Sequence, residues 1–213
     1  MERPICYIVG AGENYGLDFE KRPEDLLIAA DGGYGAVQEA GLQADLVIGD
    51  FDSLGYRPGG EQTVCLPTEK DVTDTWAAIE EGKKRGYKRF WLYGCTGGRI
   101  DHTLANFQTV AHLSQEGMEG VLVDQNQIIT ALTDGTKHFD PEWQGFLSVF
   151  AHSDHCRGVT LEGLKYPLRE AELTSDFPLG VSNEFLGVPS TVTVQSGTIL
   201  LVYPRKNLQK VEK

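Results

Sequence analysis

The sequence predicts an α/β domain with a doubly wound, mostly parallel sheet, followed by a smaller all-β sandwich domain. Over residues 1–125, short continuous apolar runs alternate with amphipathic stretches, which is typical of parallel strands covered by helices on both faces. Over residues 126–213, short apolar runs are separated by turn residues, and no long helical pattern occurs. We therefore place the domain boundary between residues 125 and 126.

The apolar runs of the first domain are predicted strands. They are Ile5–Val9, Leu26–Ala30, Leu46–Ile48, Thr63–Leu66, Phe90–Tyr93 and Gly120–Val123. Three helices are predicted between them, at Tyr34–Ala40, Thr73–Arg85 and Asp101–Glu116. The apolar residues of the last helix recur on one face, which we expect to pack on the sheet. They are Leu104, Phe107, Val110 and Ala111.

The second domain is predicted to consist of short strands. They are Gln127–Leu132, Thr136–Phe139, Phe146–Phe150, Gly158–Leu161, Ser190–Val194 and Ile199–Tyr203.

Composition and charge exclude several classes of protein. The 213 residues carry a formal net charge of -12, which argues against nucleic acid as a partner because binding to a phosphate backbone needs a cationic surface. We find no apolar run long enough to cross a bilayer and no signal-peptide pattern, so we expect a cytoplasmic protein without membrane attachment. The four cysteines are scattered singly, which favours ordinary thiols over a zinc site or disulfides.

Six aspartates lie where predicted strands end or helices begin. They are Asp31, Asp50, Asp52, Asp71, Asp74 and Asp101. The carboxyl ends of parallel strands share one edge of a sheet, so these carboxylates are expected on one rim. Two unit charges 7 Å apart repel by roughly 2 kcal/mol at an effective dielectric constant of 20. A rim of this kind therefore predicts a site for Mg²⁺ and a polyphosphate.

Two basic residues fit the same site. Arg99 follows Gly97 and Gly98 just before a predicted helix, where backbone amides and a guanidinium can bind phosphate. Lys70 precedes Asp71 and could neutralise a transferring phosphate, although a solvated surface lysine is the alternative. Asp71 and Asp101 could instead be helix N-caps, and the segment from Asp31 to Gly33 a plain turn.

Two weaker patterns point elsewhere. The segment Gly10–Gly16 imitates a dinucleotide-binding loop, with Asp31 as the ribose acid, although its spacing is irregular. His152 and His155 could belong to a metal site, but the sequence offers no matching third ligand.

Five short motifs, in this order, resemble those of the thiamine pyrophosphokinase family. They are Asp31-Gly32-Gly33, Gly49-Asp50-Phe51-Asp52-Ser53, Lys70-Asp71-Val72-Thr73-Asp74, Gly97-Gly98-Arg99-Ile100-Asp101-His102 and Gly180-Val181-Ser182-Asn183-Glu184-Phe185. The resemblance covers essentially the whole chain. It implies transfer of diphosphate from ATP to the hydroxyethyl group of thiamine, with thiamine diphosphate and AMP as products. It also implies a homodimer whose active sites are shared between subunits.

The resemblance assigns roles to residues of this chain. It implies that Asp50, Asp52 and Asp71 bind magnesium and handle the diphosphate. Catalysis would further involve Asp74, Lys70 and Arg99. Nucleotide binding is implied for Asp31, Gly32, Gly33, Gly97, Gly98, Arg99, Asp101 and His102, and thiamine binding for Ser182, Asn183 and Asp101. Some family members carry a late tryptophan against the thiazolium ring, but the comparable stretch Thr198–Val202 has none, and Phe185 or Tyr203 could replace it.

Three other functions stay open on sequence alone. They are an oxidoreductase that binds NAD(P) through Gly10–Gly16, a non-catalytic module that senses nucleotide or thiamine, and a related pyrophosphokinase acting on another heterocyclic alcohol.

Overall fold

The computed structural model describes residues 3–50, 63–65 and 72–205, without the side chain of Cys65. The chain divides into two compact units. The first comprises Met1–Asn106 with Leu122–Asp124, and the second comprises Phe107–Val121 with Gln125–Lys213. None of the helices in the described residues is long and apolar enough to span a membrane.

The elements up to residue 123 agree with the predicted ones to within one residue at each end. In chain order they are β1 Cys6–Val9, β2 Leu26–Ala30, α1 Gly33–Glu39, β3 Leu46–Gly49, β4 Thr63–Cys65, α2 Asp74–Lys84, β5 Arg89–Tyr93, α3 Ile100–Gln115 and β6 Glu119–Val123. Strands β1, β2, β3 and β5 are buried along their whole length. Their continuous apolar runs reflect burial on both faces.

The sheet of the first unit has the strand order β6-β5-β1-β2-β3-β4. Strand β1 pairs in parallel with both β2 and β5, and β2–β3 and β3–β4 are also parallel pairs. The chain therefore passes from β1 directly to its neighbour β2, and it reaches the other neighbour, β5, only after β3 and β4. The space between β1 and β5 is a topological switch point, where open α/β sheets bind ligands beyond the carboxyl ends of their strands.

The predicted apolar stripe of α3 is wrong at Leu104. The Leu104 side chain is 56% exposed, whereas Asn106 and Thr109 are 5% and 4% exposed and Val110 is fully buried. At 3.6 residues per turn, Leu104 lies more than half a turn away from Asn106, on the opposite side of the helix. The buried face of α3 thus contains two polar side chains, Asn106 and Thr109. Apolarity alone predicted a different buried face.

Helix α2 begins with a side-chain cap from Thr73. The Thr73 hydroxyl accepts a hydrogen bond from the Trp76 amide at 3.2 Å, which satisfies one of the amides left unpaired at a helix start. The N-cap of this helix is therefore not Asp71, which lies outside the described residues. Helix α3 begins at Ile100, so Asp101 belongs to its first turn and is not its N-cap either.

The second unit contains six further strands. They are β7 Gln127–Phe139, β8 Phe146–Ala151, β9 His155–Glu162, β10 Leu168–Thr174, β11 Gly180–Glu184 and β12 Ser190–Pro204. Two pairs of predicted runs merge into the long strands β7 and β12, which pair antiparallel along their length. A register shift between Val194 and Thr198 absorbs the Ser196-Gly197 break, which the sequence pattern had suggested as a turn. Strands β10 and β11 were not predicted.

Strand β12 organises this β-sandwich unit. Its first half pairs with β9 and its second half with β8, while β7 lies along the other edge. Strands β10 and β11 extend the two sides by pairing with β9 and β8. Side chains from β8, β9 and β12 that alternate towards the interior are fully buried, among them Leu147, Val149, Leu161, Val192 and Leu201.

An ionic anchor holds the starts of β1 and β2 together. Asp25 is 4% exposed, and its carboxylate accepts hydrogen bonds from the Ile5 amide at 2.8 Å and the Arg22 amide at 2.9 Å. The Arg22 guanidinium donates two more, at 2.9 and 3.0 Å. Burial alone would raise the pKa of Asp25, but these hydrogen bonds with Arg22 and Ile5 outweigh it and hold the pKa below the ordinary 3.8.

We expect Asp25→Asn to destabilise the first unit by about 2 kcal/mol at pH 7, because the buried hydrogen bonds lose their charge. The wild-type carboxylate stabilises the fold above its unfolded pKa, and this contribution disappears as the pH falls through the lower folded pKa. The difference in unfolding free energy between the two proteins should therefore shrink below about pH 4. Urea unfolding at several pH values measures it.

The nearby Glu20→Gln is the matched control, since the Glu20 side chain is exposed. It should change the unfolding free energy by less than about 0.5 kcal/mol. Equal effects of the two substitutions would refute the anchor.

Candidate active site

A cavity of about 440 Å³ lies at the switch point of the first unit. Its walls come from the loops that follow β1, β2 and β5, from the first turn of α2 and from the first two turns of α3. The lining residues are Ala11, Gly12, Glu13, Asp31, Thr75, Gly94, Cys95, Thr96, Gly97, Gly98, Arg99, His102 and Asn106. The structure thus brings together Asp31, Gly97, Gly98, Arg99 and His102, five of the residues predicted to bind nucleotide.

Backbone hydrogen bonds join the loops after β1 and β5 along one wall of the cavity. The amide of Gly12 donates to the Gly94 carbonyl at 2.7 Å, and the amide of Glu13 donates to the Thr96 carbonyl at 3.0 Å. The Glu13 carboxylate accepts from the Gly98 amide at 3.3 Å and from the Tyr15 hydroxyl at 2.7 Å. Glu13 therefore braces the Gly97-Gly98 turn from the opposite loop, a role that the sequence analysis missed.

This close approach requires glycine at position 12. A Cβ atom there would lie 2.6 Å from the Thr96 carbonyl oxygen and 2.7 Å from that of Gly94, well inside van der Waals contact. A Cβ at Gly10 would likewise lie 2.8 Å from the Gly94 carbonyl oxygen, so packing between two backbone segments explains the first two glycines that imitated a dinucleotide-binding loop.

The NAD(P) hypothesis is wrong for this loop. In a dinucleotide-binding unit the glycine-rich loop opens a helix whose N-terminus binds the pyrophosphate. Residues 10–25 are all described and contain no helix, and the Gly12 amide is already bonded to Gly94. Instead of a helix, Phe19 packs on the strands, stacked on Tyr7 at 3.9 Å and tilted against Tyr93 at 5.1 Å between ring centroids.

The turn after β2 places Asp31 in the cavity wall. Asp31 adopts a positive φ of 48°, and its amide donates to the Ile48 carbonyl of β3 at 2.7 Å. Gly33, which starts α1, lies so close to β1 that a Cβ would be 2.0 Å from the Val9 carbonyl oxygen. Asp31-Gly32-Gly33 is therefore both a tight turn and part of the cavity rim, and Gly49, just before Asp50, packs against it.

Arg99 and Asp101 form an ion pair at the start of α3. The Arg99 Nε donates to Asp101 Oδ1 at 3.2 Å, and a second guanidinium nitrogen donates to Oδ2. The guanidinium lowers the pKa of Asp101 to about 2, and the carboxylate raises the pKa of Arg99. Both side chains are exposed, so Arg99 keeps its charge at the cavity mouth and can exchange this partner for a phosphate.

The cavity floor is formed by buried polar groups that the sequence analysis did not select. The Asn106 amide nitrogen donates to the Cys95 carbonyl at 2.7 Å, and the Thr96 hydroxyl donates to Asp124 at 2.7 Å. Burial raises the pKa of the Cys95 thiol to about 12, so this cysteine is an inert packing group. The sequence offered one signal for Asn106, which is a polar residue among the apolar positions of α3.

Two predicted magnesium ligands and one predicted catalytic lysine are not among the described residues. Asp52, Lys70 and Asp71 lie outside the described residues. Within residues 3–50, 63–65 and 72–205, no group of three His, Cys, Asp or Glu side chains is close enough to hold a metal ion, so His152 and His155 form no such site. Asp50 ends the described part of its loop, and Asp74 is the first residue of α2. The magnesium assignment stays a prediction.

In the second unit, Asn183 has a clear structural role. It is 3% exposed, and its amide donates to the Tyr166 carbonyl at 2.7 Å and accepts from the Tyr166 amide at 2.9 Å. Ser182 beside it is exposed and has a positive φ of 59°. Their assignment to thiamine stays a prediction.

Phe185 and Tyr203 are poor replacements for the missing tryptophan. Tyr203 is fully buried and Phe185 is 7% exposed, and both pack edge-on against Phe139 in an aromatic core that includes Trp143. A cation already lies over this core, since Lys137 Nζ is 5.7 Å from the Tyr203 ring centroid.

The parallel α/β sheet and the ligand-sized cavity at its switch point place this protein among the α/β domains that bind ligands beyond the strand ends. The family model of the thiamin pyrophosphokinase catalytic domain matches residues 20–122, and that of the thiamin pyrophosphokinase vitamin B1 binding domain matches residues 138–199. The chain therefore belongs to the thiamin pyrophosphokinase family, as its motifs predicted.

Individual relatives agree with this assignment. The chain is 27% identical over 184 residues to the thiamine pyrophosphokinase of Bacillus subtilis (strain 168), covering 83% of this chain and 86% of that protein. The crystal structure of the thiamine pyrophosphokinase from Bacillus subtilis superposes with a TM-score of 0.83 at 25% identity, over 96% of this chain and 100% of that one. The thiamin pyrophosphokinase from Geobacillus thermodenitrificans gives 0.80 at 26% identity, over 95% and 98%. The predicted fold class is confirmed.

We expect Gly12→Ala to destabilise the first unit by about 1–3 kcal/mol, because the added methyl group overpacks the contact with Gly94 and Thr96. Thermal unfolding measured by circular dichroism checks this. Gly35→Ala is the matched control, since Gly35 lies inside α1 and a Cβ there would meet nothing within 4 Å. Its added helix propensity should stabilise the protein by up to about 1 kcal/mol. A Gly12→Ala protein as stable as the wild type would show that the two loops do not constrain each other.

Proposed function

We propose that this protein transfers the terminal diphosphate of ATP to the hydroxyethyl group of thiamine, producing thiamine diphosphate and AMP. The observation that carries this proposal is the cavity at the switch point, lined by Asp31, the Gly97-Gly98 turn and Arg99. It lies in the part of the chain that matches the catalytic-domain model of the family.

Phosphate binding falls to the turn between β5 and α3. Gly97 and Gly98 both have positive φ, at 75° and 57°, and the turn leads directly into the N-terminus of α3. Backbone amides and the helix dipole favour anions there, and Arg99 adds a planar donor for phosphate oxygens. Since phosphoryl transfer depends mainly on positioning and charge neutralisation, holding the diphosphate in line with the thiamine alcohol is the main task of these groups.

Magnesium is the cation that we expect the carboxylates to hold. The donors are all carboxylate oxygens, the ligand type that Mg²⁺ prefers, and Asp50 leaves β3 beside the Asp31 turn. Asp52 and Asp71 would complete the set. Bound there, the ion would offset the charge of the phosphates and polarise their oxygens.

A carboxylate of the chain would accept the proton of the thiamine alcohol. Asp71 and Asp74 are the candidates, as neighbours in the segment that leads into α2. Asp74 occupies the first position of that helix, which Thr73 caps. A base is needed because the attacking oxygen must lose its proton as the bond to phosphorus forms.

Thiamine would be held by the second unit, part of which matches the vitamin B1 binding domain. We infer that Ser182 contributes a polar contact, since its side chain is exposed on β11. Buried Asn183 would support the same segment through its hydrogen bonds to Tyr166.

A homodimer with shared active sites is also part of the proposal. Each unit exposes large apolar side chains that a partner would cover. In the first unit Ile100 and Leu104, one turn apart on α3, are 72% and 56% exposed. In the second unit they are Phe146, Phe177, Leu179, Leu186 and Val188. A partner's β unit packed on Ile100 and Leu104 would place its thiamine site near Arg99.

The cellular location that we propose is the cytoplasm. The described cysteines Cys6, Cys95 and Cys156 are free and buried, as is usual in a reducing compartment.

Incubation with ATP, Mg²⁺ and thiamine should yield AMP and thiamine diphosphate in equal amounts, measured by chromatography. Saturable binding without AMP release would favour the non-catalytic sensor. AMP formation only with a different heterocyclic alcohol would favour a related pyrophosphokinase.

Asp71→Asn should reduce turnover by at least about a hundredfold while leaving the melting temperature unchanged, because a metal and diphosphate ligand loses its charge. Asp140→Asn, at an exposed turn of the second unit, is the matched control and should keep full activity. Near wild-type turnover of the Asp71 variant would contradict its assignment.

Leu104→Glu should weaken the dimer at least about tenfold in sedimentation equilibrium, since it places a charge in the proposed interface. Gln38→Glu, at an exposed position of α1, is the control. A wild-type protein that stays monomeric at all concentrations would refute both the dimer and the shared site.

A further inference from the structure

Asn106 is a buried polar side chain in the cavity wall whose orientation is set by its chemistry. It lies on α3, is 5% exposed and lines the cavity. Its nearest polar partner is the Cys95 carbonyl, 2.7 Å away, which can only accept a hydrogen bond. The NH₂ group of the amide must therefore face Cys95, and the oxygen Oδ1 must point the other way.

The Oδ1 atom has no donor within the part of the chain that the structure describes. Among the described residues, the Asn106 side chain makes its hydrogen bond to Cys95 through the NH₂ group and not through Oδ1. This oxygen is accessible from the cavity, and a ligand that supplies an N–H or O–H group in place of water would gain about 0.5–1.5 kcal/mol from the hydrogen bond. A fixed acceptor at the wall of a ligand-sized cavity is thus suited to reading a donor on the ligand.

The phosphate groups of the ligand cannot supply the donor for Asn106. Ionised phosphate oxygens are acceptors, so they repel an amide oxygen, and we expect them to bind at Arg99 and the Gly97-Gly98 turn instead. Asn106 lies six residues beyond the start of α3 at Ile100, about 9 Å along the helix axis. That distance separates the phosphate end of the cavity from a part of the ligand that carries hydroxyl or amine hydrogens.

We propose that Asn106 determines nucleoside specificity, by accepting a hydrogen bond from a ribose hydroxyl or from the exocyclic amine of the base. This inference rests on the proposed function, because it assumes that the cavity holds the nucleotide.

A cycle between protein variants and nucleotide analogues tests the proposal. Calorimetry would measure the Kd of non-hydrolysable analogues of ATP, 2′-deoxy-ATP, 3′-deoxy-ATP and the triphosphate that lacks the 6-amino group. We expect one of the three altered analogues to bind the wild type at least about tenfold more weakly than the ATP analogue. Which one does so identifies the donor as a ribose hydroxyl or the base amine.

In Asn106→Leu, that discrimination should fall to about onefold, because the variant has no acceptor to satisfy. Asn106→Ala, with a shorter side chain that also lacks an acceptor, should show the same loss. Gln108→Leu, an exposed position on the same helix, should retain the wild-type ratio. Melting temperatures identify any variant that is unfolded.

Two results would overturn the proposal. One is a wild type that binds all four analogues equally. The other is an Asn106 variant that weakens all of them by the same factor, as a purely structural residue would. Failure of the proposed function looks different, since the wild type would then bind no ATP analogue and release no AMP in the presence of thiamine.

Discussion

The arrangement of the first unit depends on the position of β1 between β2 and β5. Parallel pairing on both sides buries β1 completely. The chain connects to β2 on one side of β1 and later to β5 on the other side. Because the connections diverge at that point, the carboxyl ends of β1 and β5 leave a crevice between them. The residues that line the cavity lie in loops, or in the first two turns of helices, that follow the carboxyl ends of strands, so the pairing order decides where ligands can bind.

The crevice remains a defined cavity because the two loops that flank it are bonded to each other. The Gly12 amide uses the Gly94 carbonyl, and Glu13 braces the Gly97-Gly98 turn. These contacts require backbone segments to approach more closely than any side chain at position 12 would allow. The same glycines therefore explain two properties: the loop after β1 does not open a dinucleotide-binding helix, and the turn after β5 is held in a fixed conformation.

The sequence predicted those parts of the structure that depend on continuous burial or tight turns. Strands such as β2 and β5 were found because both faces are buried and the apolar run is unbroken. Strands β10 and β11 were missed because they flank the sandwich and several of their side chains face solvent. Leu104 was misplaced because apolarity cannot distinguish a core face from an exposed one, and Asn106 was missed because its role depends on contact with Cys95, eleven residues away.

The chain carries a net charge of -12, yet we propose that it binds a polyphosphate, so charges within the cavity must be separated. Arg99 supplies donors at one end, and Asn106 supplies an acceptor about 9 Å further along the axis of α3. An anion is repelled by the acceptor and attracted to the donors, whereas hydroxyl and amine groups have the opposite preference. A ligand with phosphates at one end and hydrogen-bond donors at the other is therefore bound in one orientation. The carboxylates near Asp31 and Asp50 remain unfavourable for phosphate unless a cation lies between them, which is the physical reason to expect magnesium at this rim.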